Sequence, residues 1–246
     1  VNVRPALAQC RVEIALTLRR GESLLATLGI PVGVLVFFSS VDVVDTGFTH
    51  PLDFLVPGVL ALAVIAAGMV SLGIATGFER RYLVLKRLGT TPLGPGGLVA
   101  AKTAAVLALE VLQVAVVVGV ALALGWDPAG SVTRVVGVAG VLALGTTAFA
   151  GLGLLMAGTL RAEATLALTN GLYVAFILVG GIAVPLDRLP GWLEGLSRGL
   201  PAAQLAAALR GVMTAGEAVP GWALGGLAAW AVAAPLAAVL AFRWEE

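Results

Sequence analysis

The sequence predicts an all-α integral membrane protein, and three observations carry the prediction. Hydrophobic residues make up 59% of the chain and charged residues only 12%, with a mean hydropathy of +1.03, whereas soluble domains carry about 25% charged residues. Six apolar stretches are each long enough to cross a hydrocarbon core about 30 Å thick, which takes about 20 residues at 1.5 Å per residue. The strict alternation of barrel strands is missing, so the spans are expected to be helices, which satisfy their own backbone groups in lipid. A formal net charge of +1 offers no basic stripe for a nucleic acid.

The first element, residues 1–22, repeats Val3, Leu7, Cys10, Ile14 and Leu18 at three- and four-residue steps, with Gln9, Glu13 and Arg20 elsewhere on the wheel. That pattern predicts an amphipathic helix lying on the membrane surface. It lacks a short apolar run followed by a small-residue cleavage site, so it is expected to stay in the mature chain. Cys10 is the sole cysteine and reads as a small apolar filler. The predicted spans are residues 23–41, 54–78, 98–124, 132–160, 165–184 and 219–242, forming a single transmembrane domain over 1–246. Between the fifth and sixth, "PLDRLPGWLEGLSRGLPAAQLAAALRG" offers apolar groups too brief to span, and Pro201 is suited to open a helix. Two short helices at or dipping into the outer leaflet are expected there.

Orientation follows from the basic residues. With a cytoplasmic N-terminus, the inner segments hold Arg4, Arg11, Arg19, Arg20, Arg80, Arg81, Lys86, Arg87, Lys102, Arg161 and Arg243, eleven of fifteen. Arg134, Arg188, Arg198 and Arg210 fall outside. The positive-inside rule then puts both termini in the cytoplasm.

The densest basic cluster is "FERRYLVLKRLGTTPLGPGGLVAAKT", residues 78–103. Its end nearly matches a phosphate-binding loop, G-x-x-x-x-G-K-[ST], but Ala101 stands where the second glycine belongs, and no strand precedes it. Nucleotide binding is not expected here. The segment reads instead as a short helix with Leu83, Leu85 and Leu88 for packing and Arg80, Arg81, Lys86 and Arg87 for a partner or lipid headgroups. Gly89 would end it, and Pro92 and Pro95 would turn the chain back.

At Glu79, Arg80, Lys86, Arg87, Leu88, Thr91, Pro92 and Lys102 the sequence resembles the cytoplasmic loop of ABC-type-2 permeases, the membrane subunits of ATP-binding cassette exporters. Pro185, Leu189, Pro190, Leu196, Pro201 and Arg210 resemble that family's outer segment, where Trp192 also lies, so the likeness covers essentially the whole chain. The resemblance implies a dimer, homo- or heteromeric, in the plasma membrane. It also implies two separate ATPase subunits that hold ATP and Mg, leaving the permease without catalysis or a cofactor of its own. Glu79 to Leu88 would be the coupling helix that receives the ATPase motion. The cargo would be a drug, lipid, glycan or similar amphiphile moved outward.

Other residues admit other readings. Glu110 lies near the middle of the third span, where an ionised group costs about 2.5–3.5 kcal/mol on insertion scales, so it should face protein or water. With Gln113 it forms a polar patch suited to helix adhesion or to handling cargo or protons. A partner-independent channel or a proton-linked carrier using Glu110 is the alternative function, and a membrane scaffold or immunity protein is a third class. Asp42, Asp45, His50 and Asp53 share one loop but match no metal-site spacing. Gly29 and Gly33, Gly73 and Gly77, and Gly221 and Gly225 form small-xxx-small pairs that let helices approach closely. No arrangement of nucleophile, base and acid suggests hydrolysis.

Overall fold

The computed structural model describes residues 3–19, 21–40, 51–128, 132–214 and 218–245, and all regular structure among them is helical. The helices are α1 (Val3–Arg19), α2 (Gly21–Ser40), α3 (Pro51–Ile65), a π-helical turn (Ala66–Ser71), α4 (Leu72–Arg81), α5 (Val84–Gly89), α6 (Gly94–Ala123), α7 (Val132–Thr159), α8 (Ala162–Val179), α9 (Gly191–Arg198), α10 (Pro201–Met213) and α11 (Gly221–Ala241). A 3-10 turn, Leu186–Arg188, precedes α9.

Among the described residues five helices are long and apolar enough to cross a membrane: Pro51–Arg81, Gly94–Ala123, Thr133–Thr159, Ala162–Val179 and Gly221–Ala241. They correspond to the second through sixth expected spans. The first expected span falls on α2, whose apolar part, Thr27–Ser40, is shorter. Several bounds differ from expectation for identifiable reasons. The second span runs three residues past Phe78, because α3, the π turn and α4 form one continuous rod. α6 begins at Gly94, with Pro95 in its first turn, where no donor is needed from it. α8 ends before 184 because Gly180 and Gly181 turn the chain, Gly181 having φ +65°.

α7 is the hub, touching α3, α4, α6, α8, α10 and α11. Its axis comes so close to two neighbours that glycine is required. A Cβ on Gly151 would lie 2.4 Å from the Pro235 nitrogen of α11, and one on Gly153 would lie 2.8 Å from the Gly68 carbonyl oxygen in the π turn. Around these contacts lies a core that includes Val59, Leu60, Ile65, Met69, Phe149 and Leu205. Phe149 and Phe176 meet edge to face at 5.9 Å.

The two short helices after α8 differ from each other. α9 lies at the surface with Trp192 71% and Leu196 64% exposed. α10 is driven into the bundle, with Ala202, Ala203, Leu205, Ala206, Ala208 and Leu209 fully buried against α3, α7 and α11.

Candidate functional site

One end of the bundle collects the basic hairpin, α1 and the residues after α11. The hairpin is not one helix from Glu79 to Leu88, as the sequence suggests. α4 runs through Arg81, and the chain then breaks at Tyr82 and Leu83, where Leu83 takes a left-handed conformation (φ 62°, ψ 16°) that side chains with a Cβ seldom adopt. The short α5 follows. The Thr90 and Thr91 hydroxyls donate to the carbonyls of Arg87 and Leu88 at 2.7 and 2.6 Å, satisfying the end of α5 before α6 starts. Beneath it, Leu85, Leu93 and Leu98 form an apolar seat with Ala6, Leu88, Phe242 and Trp244. The hairpin is therefore held from below by residues of α1 and of the segment that follows α11.

The predicted coupling residues divide into two groups. Arg81, Lys86, Arg87, Thr91 and Pro92 are exposed. Arg81 pairs with Glu163 at the start of α8, and Lys86 lies 2.8 Å from Glu245. Leu88 is half-buried. Arg80 is not at the surface: it is 2% exposed and donates to the Leu160 carbonyl at the end of α7. Glu79 also turns inward. Sequence reasoning missed Tyr82 and Val84, which together with Leu83 form an exposed apolar strip beside the basic groups, with exposures of 70%, 45% and 51%. A helix drawn straight through Tyr82 gives no signal of that strip.

Glu79 turns inward to reach Lys102. The Lys102 Nζ sits 2.8 Å from Glu79 Oε2 and 2.7 Å from Glu13 Oε1, with its side chain fully buried. Gln9 steadies Glu13 by donating to its Oε1 at 2.8 Å. An ammonium group removed from water at large cost needs nearby opposite charge, and here two carboxylates from α1 and α4 supply it. Residues 96–103 lie inside α6, so the near-match to a phosphate loop is a helical turn whose lysine is already engaged.

Two turns further along α6, Glu110 and Gln113 are both buried. The Gln113 amide donates to the Thr27 carbonyl of α2 at 2.8 Å, and the Thr146 hydroxyl of α7 donates to Glu110 Oε2. Among the described residues Glu110 Oε1 has no hydrogen-bond partner. The residue stands between two spaces. On one side is a small cavity of about 100 Å³, mostly apolar in its walls but reached by Glu13, Thr17, Thr27, Lys102 and Gln113. On the other is an apolar groove of about 540 Å³ between α6 and α7.

At the opposite end, Trp126 donates to Asp53 Oδ1 at 3.0 Å. Asp42, Asp45 and His50 lie outside the described residues. Among the described residues no group of three potential ligands gathers for a metal. Pro185 leads into the 3-10 turn, Pro190 caps α9, and Pro201 opens α10. Arg210 is a joint: its guanidinium lies 4.2 Å over the Phe54 ring and donates to the Gly181 carbonyl, tying α10 to α3 and to the turn after α8.

A family model for the ABC-2 type transporter matches residues 8–214, from α1 through α10. The chain belongs to the ABC-2 type transporter family. It is a transmembrane component of an ABC transporter. No individually curated protein matches it.

Proposed function

We propose that this ABC-2 chain is the permease of an exporter in the plasma membrane, crossing it six times with both termini cytoplasmic and moving an amphipathic cargo outward. Hydrolysis of ATP in a separate cassette subunit drives it. A second permease copy or paralogue completes the pathway, with surrounding lipid as its solvent. The observation that carries the reading is the hairpin from Arg81 to Pro92, which presents basic groups beside an exposed Tyr82–Leu83–Val84 strip while resting on a rigid base. That combination suits a protein partner: apolar area supplies affinity, and the rim of charge supplies orientation. The base links the hairpin to α1 and α6, so a push on α5 reaches the Lys102 cluster and the membrane helices together.

Lys86→Glu combined with Arg87→Glu should abolish co-purification with the ATPase from a native host while leaving the permease folded. Recovery of the wild-type membrane complex without any ATPase, or unchanged association of the double variant, would reject the reading. A carrier working without a partner through Glu110 would transport in ATP-free vesicles, and the export reading expects none.

A further inference from the structure

We infer that the groove between α6 and α7 is a binding site for a hydrophobic amine, an amphiphile whose apolar body lies along the groove and whose ammonium group meets the Glu110 carboxylate. Calling this ligand the cargo rests on the export reading above; its binding does not.

Size, lining and charge all support the assignment. A groove of about 540 Å³ falls in the range of about 300–1,000 Å³ that accommodates drug-sized molecules. Its walls are apolar: Val111, Val114 and Val118 from α6 face Val138 and Leu142 from α7. Its charged lining residues are Glu110 and, from the first turn of α7, Arg134. Glu110 is 5% exposed, and among the described residues its Oε1 accepts no hydrogen bond. A buried acceptor left without a donor is costly, and a charged one more so. A lipid chain would fill the walls but leave that oxygen unmatched, and an anion would be repelled by it. An alkylammonium group supplies both a donor and the opposite charge, while its tail covers the valines. From Glu110 to Val118 is eight residues, about 12 Å of helix, room for an extended chain running from mid-membrane toward the α6–α7 connection.

The test compares dodecylamine with dodecanol, its neutral counterpart, as radiolabelled ligands on the purified full-length chain in phosphatidylcholine nanodiscs, with empty nanodiscs subtracted. Saturable binding that favours the amine by about tenfold or more is expected. Glu110→Gln should bring the two ligands to within about twofold, and Ala139→Phe, which obstructs the groove from an exposed position on α7, should weaken both. Equal binding of amine and alcohol by the wild type would mark an ordinary lipid slot and overturn the inference, as would an amine preference that survives Glu110→Gln. If that variant fails to assemble, the Ala139→Phe result decides, and unchanged amine binding rejects the site. The assay contains no ATPase, so its failure leaves the export reading standing, and loss of the export reading leaves amine binding intact.

Discussion

Lys102 and Glu110 are buried charges on the same helix, eight residues and about 12 Å apart, yet their surroundings could hardly differ more. Lys102 lies within 2.8 Å of two carboxylates contributed by two other helices. Glu110 has one threonine hydroxyl and, among the described residues, one oxygen with nothing to accept from. Both groups incur desolvation, but only the first has opposite charges in contact with it. That pairing makes Lys102 a lock between α1, the α4 end of the hairpin and α6. Incomplete pairing leaves Glu110 chemically open to a ligand.

The contrast can be broken by substitution. Lys102→Met leaves Glu13 and Glu79 facing each other without a cation, and removing one partner of a buried ion pair typically costs about 3–5 kcal/mol. The midpoint of thermal unfolding in detergent should fall accordingly, and adding Glu13→Gln and Glu79→Gln should recover most of it. A loss that persists in the triple variant would mean that the lysine matters for packing and not for charge. Thr146→Val takes from Glu110 its one hydrogen-bond donor among the described residues, and about 1–3 kcal/mol should be lost by the same measure. Glu110→Gln should be the mildest, within about 1 kcal/mol of wild type, because an amide still accepts from Thr146 and brings no charge into the bilayer. If it destabilises as severely as Lys102→Met, Glu110 is a second lock and the comparison fails.

The two charges were not equally legible in the sequence. Glu110 announces itself, because an acidic residue amid Leu, Val and Ala must find protein or water whatever the tertiary arrangement. Lys102 reads as the remnant of a phosphate loop, since Glu13 and Glu79 are remote in the chain and no spacing rule links the three. The hairpin is visible as a basic segment between spans, but the sequence offers Arg80 to a partner or headgroups, and the resemblance puts Glu79 in the coupling segment, with no signal that Arg80 is buried against Leu160 and Glu79 pairs with Lys102. The same holds for glycine. Gly29, Gly33, Gly221 and Gly225 have motif spacing, yet a Cβ on any of them would meet nothing within 4 Å among its described neighbours. A Cβ on Gly73 would lie 3.2 Å from the Gly153 Cα and one on Gly77 3.5 Å from the Ala162 Cα, while Gly151 and Gly153, two apart and outside the motif, make the closer approaches of 2.4 and 2.8 Å.

By itself the sequence determined what hydropathy and charge can dictate locally: an all-helical membrane class, the approximate extent of its long apolar helices, and the end of the bundle where the basic residues gather. Burial of an apolar run in lipid depends only on its own length and composition. Which charges are quenched, which helix of the α9–α10 pair sinks into the core, and where a carboxylate is left with a free oxygen were decided by tertiary structure alone. Each of those depends on groups brought from distant segments to within 3 Å, and identical residues have opposite fates according to what arrives beside them.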